Sequence, residues 1–243
     1  MRITRLFTDQ PLTTGASVLL EGDTARHLGR ALRARVGESV ALFNGDGREF
    51  TARIREVSKQ SIVAEIGEAS RPSTESTTKT EIGLCLSKGD RFDWAIQKAT
   101  EMGVGKVVPL LSERVDFAIP PERIEKRRSH WQQIVTSACE QCGRVQVPPV
   151  TLPQTLNHWV QDVTADQKWV LHCGPSVASS GRSVPDTAAL LIGPEGGLSQ
   201  DEVDLALNQG FKLLQLGPRV LRTETAPVAA LAALAATWGE IQP

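Results

Sequence analysis

The 243-residue sequence lacks tyrosine and contains only two methionines and four cysteines. The cysteines are too few and too unevenly spaced for a disulfide framework, which is typical of proteins from a reducing compartment. Without tyrosine, stacking on a nucleic-acid base has to use Phe, Trp, His or Arg side chains. We therefore exclude the small disulfide-rich class of secreted proteins and predict a cytoplasmic location.

The sequence also lacks a strong net charge and long apolar segments. Its 27 basic and 28 acidic residues give a formal net charge of −1, and the isoelectric point is near 6.4. A protein coated in positive charge is excluded, so any contact with nucleic acid has to depend on local basic patches. The N-terminal residues contain no apolar segment of the kind found in signal peptides or membrane spans. We expect neither.

The remaining cysteine and histidine patterns do not suggest a metal site. Cys139 and Cys142 form a Cys-x-x-Cys pair, but no second pair accompanies it. The pair also ends a predicted helix, whereas a redox pair would open a helix beside a sheet. The four histidines have no regular ligand spacing. We predict no metal site.

Two short apolar runs near the C-terminal end each lead into a Gly-Pro loop. Leu190–Ile192 precedes Gly193–Gly197, and Leu213–Leu216 precedes a longer loop at 217–226. We interpret the runs as neighbouring strands of one sheet, because ligands of open α/β sheets bind beyond the carboxyl ends of strands. The first loop has neither the Gly-Lys-Ser/Thr of a phosphate loop nor the spacing of a dinucleotide fold. Its central carboxylate, Glu195, favours a neutral or cationic nucleoside.

A structural turn is the alternative for the first loop, since a glycine-rich loop by itself is a weak signal. The second loop favours a binding site. It concentrates polar side chains between a predicted strand and a predicted helix: Arg219, Arg222, Thr223, Glu224 and Thr225.

Helix boundaries follow from local signals. Ser199 with Glu202 forms a capping box, which predicts a helix from about Gln200 that stops at Gly210. Asp90 is expected to cap an earlier helix, and Pro153 is expected to open a shorter one.

The chain divides into two parts by pattern. Residues 1–70 read as strands with alternating apolar residues and a hairpin turn at Asn44–Gly47, which predicts a small β-barrel. Residues 71–80 are poor in apolar side chains and contain Pro72, so we interpret them as a linker. Residues 81–243 alternate strands with helices, which predicts a mostly parallel α/β sheet.

A basic segment interrupts the first part. It contains Arg26, Arg30, Arg33 and Arg35 without an acidic residue among them. Contact with RNA phosphates is one interpretation. A solvated basic helix face is the other.

The loops resemble those of a known family. Ile192-Gly-Pro-Glu-Gly-Gly197 and Leu216-Gly-Pro-Arg-Val-Leu-Arg-Thr-Glu-Thr-Ala226 are similar to the cofactor-loop motifs of the bacterial 16S ribosomal RNA uridine-N3 methyltransferases, members of the SPOUT superfamily. Lys88–Gly103, Ser112–Arg114 and Glu140–Arg144 also resemble family segments. Val115 departs from the family pattern, in which a serine usually follows Ser-Glu-Arg.

The resemblance implies a fold and partners. It implies a PUA-like β-barrel RNA-binding domain followed by a SPOUT α/β domain with a trefoil knot, S-adenosylmethionine as cofactor and 16S ribosomal RNA, in the small ribosomal subunit, as substrate. It also implies a homodimer formed through the knotted domain. The predicted last helix carries an apolar face that suits either such an interface or the core: Val228, Leu231, Leu234, Ala235 and Trp238.

Residue roles are likewise implied by the resemblance. The cofactor-binding residues are Leu171, His172, Ile192, Gly193, Pro194, Glu195, Gly196, Gly197, Leu216, Gly217, Arg219, Val220, Leu221, Thr223 and Thr225. The RNA-binding residues are Arg26, His27, Arg30, Arg33, Lys88, Arg91, Arg114 and Arg144. A branched side chain at Gly196 is expected to block the cofactor, because glycine allows close backbone approach.

Arg222 and Glu224 are the candidate catalytic residues. Arginine stays protonated in proteins, so Arg222 would act electrostatically on the uridine anion instead of removing its proton. Glu224 would act in chemistry or would hold Arg222 or a helix N-terminus. Two other functions stay open: a SPOUT methyltransferase with another target, such as the ribose of transfer RNA, and a non-catalytic RNA-binding module.

Overall fold

The structure, a computed structural model, describes residues 3–26, 28, 34–115, 117, 119–172 and 184–241. The strands are β1 (Thr4–Phe7), β2 (Ser17–Leu20), β3 (Ser39–Phe43), β4 (Glu49–Val57), β5 (Ile62–Ser70), β6 (Lys79–Cys85), β7 (Lys106–Leu111), β8 (Gln154–Thr155), β9 (Gln167–Leu171), β10 (Thr187–Ile192) and β11 (Lys212–Leu214). The helices are α1 (Gly22–Arg26), α2 (Arg91–Glu101), α3 (Ile124–Cys142), α4 (Leu156–Asp162), α5 (Gln200–Asn208) and α6 (Thr225–Trp238), and a 3₁₀ turn at Pro121–Arg123 precedes α3.

The chain forms two compact units. The first contains the residues up to Glu75 together with Cys139–Val147, and the second contains Ser76–Ala138 and Pro148–Pro243. The last turn of α3 and the loop after it therefore belong to the first unit.

A five-stranded sheet builds the first unit, in the order β1-β3-β4-β5-β2. Alternating side chains of its strands point to one core, which includes Leu42, Phe50, Ile54 and Ile62. Burying a side chain of this size stabilises the fold by about 1.5–3 kcal/mol. The predicted hairpin turn is confirmed, since β3 and β4 pair antiparallel on either side of Asn44–Gly47.

Charged side chains tie the 139–147 segment into this unit. The Arg5 guanidinium donates to the carbonyl oxygens of Cys139 (2.7 Å) and Gly143 (3.1 Å), and thereby satisfies the open end of α3. Arg144 is only 5% exposed, and its guanidinium donates to the Glu75 carboxylate at 2.7 Å. Arg144 is thus a buried ion-pair partner, unlike a residue that contacts phosphate at the surface.

A six-stranded sheet builds the second unit, and all of its strand pairs are parallel. The predicted α/β class with a mostly parallel sheet is confirmed. Its strand order is β11-β9-β10-β6-β7-β8. The interpretation of the two Gly-Pro loops as following neighbouring strands is wrong, because β9 lies between β10 and β11. The trefoil knot stays a prediction.

Helix starts were predicted with mixed success. The Ser199–Glu202 capping box is present and α5 begins at Gln200, as predicted. Asp90 occupies the N-cap position of α2, but its side chain makes no capping hydrogen bond. The expected start at Pro153 is wrong, since the next two residues form β8. The helix α4 begins only after Thr155, whose hydroxyl accepts from the His158 amide.

Helix α6 packs most of its apolar face into the second unit. Leu231, Leu234 and Ala235 are buried, and Trp238 packs against Trp169 with a ring-centroid distance of 6.1 Å. The structure therefore uses much of the predicted face as core, and dimerisation stays a prediction. Within the described residues, no helix combines the length and apolar character that crossing a membrane requires.

Candidate active site

A cavity of about 480 Å³ opens at the carboxyl ends of β9, β10 and β11. This volume is in the range of small-molecule sites. Of the predicted cofactor-binding residues, the structure brings these together in its walls: Leu171, His172, Ile192, Gly193, Pro194, Glu195, Gly197, Leu216, Gly217, Arg219, Val220, Leu221 and Thr223. Gly196 and Thr225 do not line it. The predicted catalytic residues, Arg222 and Glu224, do.

The position of β9 between β10 and β11 explains why Leu171 and His172 reach the cavity. Because β9 pairs with both β10 and β11, its end lies between the two loops that follow those strands. The His172 amide donates to the Leu214 carbonyl oxygen at 3.2 Å, which continues the pairing one residue beyond the strand. The site is therefore built from three strand ends, and the end of β9 lies between the other two.

Four further wall residues were not singled out by the sequence patterns. Leu198, Leu214, Gln215 and Ala226 line the cavity as well. Each directly adjoins a predicted residue or lies one or two positions from one, so the only available signal was proximity in sequence. Whether such neighbouring residues line the cavity depends on the conformation of the loops.

The first loop packs tightly on itself at Gly193. A Cβ atom on this residue would lie 3.0 Å from Leu198 Cγ and 3.2 Å from the Leu198 backbone nitrogen. A Cβ on Gly196 would make ordinary contacts with Arg114, of which the nearest is Arg114 Cβ at 3.4 Å. We therefore expect a branched side chain to disturb cofactor binding at Gly193 instead of at Gly196. Gly193 lines the cavity and has no space for a Cβ atom.

Glu195 connects the first loop to the loop after β6. Its carboxylate accepts from the Arg91 guanidinium at 2.8 Å and from the Lys88 amide at 3.2 Å. Partial burial raises the pKa of Glu195, but hydrogen bonds from its own amide, from Arg91 and from the Lys88 amide outweigh burial and hold the pKa below its usual 4.5. Arg91, predicted to bind RNA, is thus engaged in holding the cavity wall.

We expect the Glu195 carboxylate to stabilise the folded protein only in its ionised form. The folded-state pKa is depressed, so the contribution is present above the ordinary value of 4.5 and is lost as the pH falls through the lower folded value. Glu195→Gln should therefore be less stable than wild type at neutral pH, by less than about 1 kcal/mol because the pair is solvent-screened. Urea denaturation at several pH values measures the difference, and a gap that persists unchanged well below the folded pKa would contradict the ion pair.

Residues of the Ser112–Arg114 segment form hydrogen bonds with the same loop and with the helix that follows it. The Arg114 guanidinium donates to the Gly196 carbonyl oxygen at 2.8 Å. The buried Glu202 carboxylate accepts from the Glu113 amide at 2.9 Å and from the Ser199 amide at 2.9 Å. Arg114, the other predicted RNA-binding arginine of this unit, therefore contacts the cavity loop directly.

The second loop exposes two cations that line the cavity, Arg219 and Arg222. The Arg222 side chain is 79% exposed, and its guanidinium lies 4.0 Å from the Glu224 carboxylate, which is 18% exposed. The Arg222 carbonyl oxygen accepts from the amides of Thr225 and Ala226 at 2.9 Å and so opens helix α6. The backbone of Arg222 is held in place while its side chain faces solvent and incoming ligands.

The remaining predicted RNA-binding residues belong to the basic segment. His27, Arg30 and Arg33 lie outside the described residues, and of Arg26 only the backbone, at the end of α1, is described. Within the described ranges, no group of three or more His, Cys, Asp or Glu side chains is arranged to hold a metal ion.

Two family models match the chain. Residues 74–235 match an RNA methyltransferase domain, and residues 20–67 match an RNA methyltransferase PUA domain. The first match covers the six-stranded sheet and the whole cavity. The second covers most of the five-stranded sheet.

Named relatives match this chain over nearly its whole length. A Buchnera aphidicola protein named ribosomal RNA small subunit methyltransferase E is 30% identical, with 99% of this chain and 98% of that protein covered. The Bacillus subtilis protein of the same name is 30% identical over 93% of each chain.

Solved structures agree in fold. The ribosomal RNA small subunit methyltransferase E of Neisseria gonorrhoeae, solved with bound S-adenosylmethionine, has a TM-score of 0.90 and 35% identity, with 98% of each chain covered. A Legionella pneumophila protein solved with the same cofactor has a TM-score of 0.93 and 38% identity, over 97% of this chain and 98% of that one. The chain belongs to the ribosomal RNA small subunit methyltransferase E family of RNA methyltransferases.

Proposed function

We propose that this protein transfers a methyl group from S-adenosylmethionine to N3 of a uridine in 16S ribosomal RNA. The observation that carries the proposal is the cavity at the ends of β9, β10 and β11, whose two loops hold the family's cofactor motifs. The relatives solved with S-adenosylmethionine, at 35% and 38% identity, support the cofactor. The names of the relatives support the small-subunit RNA as substrate.

The residues of the cavity fit the cofactor. The tight turn at Gly193 brings backbone groups to the wall where a side chain would intrude. Leu171, Ile192 and Leu216 provide an apolar surface for an adenine base. The guanidinium of Arg91, which lines the wall, is paired with the Glu195 carboxylate, so its positive charge is offset toward a sulfonium.

The methyl acceptor has to be deprotonated for this reaction. S-adenosylmethionine, when bound, supplies a methyl group activated by a positively charged sulfur. The N3–H group of uridine is a weak acid, so the site has to favour its anion at neutral pH. The Arg222 guanidinium at the mouth of the cavity provides a fixed positive charge for that anion. The Glu224 carboxylate lies 4.0 Å from the guanidinium, which is close enough for electrostatic attraction but too far for a hydrogen bond.

Nucleoside analysis tests the proposal directly. Small-subunit RNA from a strain that lacks the protein is incubated with the purified enzyme and S-adenosylmethionine, digested and analysed by mass spectrometry. We expect N3-methyluridine to appear at one position. Methylation of a ribose or of transfer RNA would assign another target, and calorimetry that detects no binding of S-adenosylmethionine would indicate a non-catalytic module.

The basic segment is proposed to hold the RNA by its phosphates. Alanine at Arg26, Arg30 or Arg33 should lower the salt dependence of RNA binding by about one unit of logarithmic slope each, because one fewer counterion is released. Filter binding at several salt concentrations measures the slope, and cofactor affinity should not change. Wild-type slopes in all three variants would identify the segment as a solvated face.

A further inference from the structure

A second cavity, of about 360 Å³, lies between the loop after β6 and the first turns of α3. Lys88 and Asp90 line it on one side, and Arg123 and Arg127 line it on the other. The same loop borders the first cavity, since Arg91 lines that cavity and the Lys88 amide donates to Glu195. The two cavities therefore share a wall that is only a few residues thick.

Arg123 and Arg127 are the available cations of this second cavity. They lie four residues apart across the start of α3, so their side chains emerge on the same face. Both are exposed, and among the described residues neither guanidinium has an ion-pair partner. By contrast, the guanidinium groups of Arg91 and Arg114 are both engaged by the first loop.

The two carboxylates of the second cavity, Asp93 and Asp90, differ in whether they already have protein donors. Asp93 accepts from His130 Nε2 at 2.6 Å and from Trp131 Nε1 at 3.1 Å, so both of its oxygens have protein donors. Asp90 is exposed and makes no capping hydrogen bond, which leaves it able to accept a hydrogen bond from a ligand. Two guanidinium groups and one carboxylate of this cavity thus have no side-chain partner within the described part of the chain. They suit a ligand that has an anionic acceptor and a neutral donor.

We propose that the second cavity binds a nucleotide of the RNA strand adjacent to the target base. Arg123 and Arg127 contact its phosphate, to which planar guanidinium groups bind with two donors each. Asp90 accepts from a ribose hydroxyl, the group that distinguishes RNA from DNA. The proposal rests on the proposed function, because the shared wall places this nucleotide next to a base that occupies the mouth of the first cavity.

RNA binding by the double variant Arg123→Ala/Arg127→Ala tests the proposal. The probe is 16S ribosomal RNA transcribed in vitro. We expect the Kd for this RNA to rise at least roughly tenfold, and the logarithmic salt slope to fall by about two units, because two phosphate contacts are lost. The kcat at saturating RNA and the Kd for S-adenosylmethionine should stay within about twofold of wild type, because neither arginine lines the first cavity.

Lys126→Ala is the matched control. Lys126 is an exposed cation of the same helix that does not line the second cavity. If Lys126→Ala loses as much RNA affinity as the double variant, the effect comes from the general charge of the helix and the proposal is overturned. Wild-type RNA affinity and salt slope in the double variant would overturn it as well. A wild-type protein that fails to methylate the RNA would instead overturn the proposed function, which separates the two.

Discussion

Replacing Arg222 with alanine should slow methyl transfer roughly a hundredfold to a thousandfold, the usual loss when one preorganised group at a developing charge is removed. The guanidinium is 79% exposed at the mouth of the cavity, while its backbone is fixed by two hydrogen bonds at the start of α6. The side chain is therefore free to approach the proposed uridine substrate while the backbone keeps its place in the fold. Single-turnover rates at saturating RNA and S-adenosylmethionine measure the effect.

Arg222→Lys is the informative companion variant. We expect lysine to restore little of the rate, because its ammonium cannot reproduce the planar, multidentate contact of a guanidinium. The Kd for S-adenosylmethionine should be near wild type in both variants. A single-turnover rate within a few-fold of wild type, together with weaker RNA binding, would reassign Arg222 from catalysis to RNA binding.

Replacing Gly193 with valine should reduce the affinity for S-adenosylmethionine at least a hundredfold, which corresponds to about 2.7 kcal/mol. A Cβ atom at this position would lie 3.2 Å from the backbone nitrogen of Leu198, and a backbone atom cannot move aside without moving the loop. Because the loop lines the cavity, its displacement removes the wall against which the cofactor is expected to lie. Isothermal titration calorimetry measures the loss.

Gly196→Ala is the control for this experiment. A Cβ atom there would meet Arg114 Cβ at 3.4 Å, an ordinary contact, and Gly196 does not line the cavity. We expect its affinity for S-adenosylmethionine to stay within about threefold of wild type, which is about 0.6 kcal/mol. Thermal melts of both variants verify folding. If a folded Gly193→Val protein binds the cofactor as wild type does, the first loop is only a structural turn.

Three of the arginines predicted to bind RNA have protein partners in the structure. Arg91 and Arg114 hold the Gly193–Gly197 loop, and Arg144 is buried against Glu75. Arg123 and Arg127, which no sequence pattern singled out, are exposed, and neither has an ion-pair partner among the described residues. In this protein, a basic residue within a motif therefore indicates that a site is near. The motif does not show whether that residue contacts the ligand or holds the wall of the cavity.

Several local features of this protein could be predicted from the sequence. The Ser199–Glu202 capping box, the Asn44–Gly47 hairpin and the alternation of strands with helices depend on residues within a few positions of each other, so their patterns are readable from the chain. The two Gly-Pro loops were likewise recognisable, and they line the cavity.

The strand between those loops and the contacts that hold the loops depend on tertiary packing. The position of β9 between β10 and β11 depends on how the sheet is threaded, which no local pattern encodes. Arg91 meets Glu195 across 104 residues, and Arg144 meets Glu75 across 69. Such partners are chosen by packing, because side chains this far apart in sequence come within hydrogen-bond distance only once both sheets have formed.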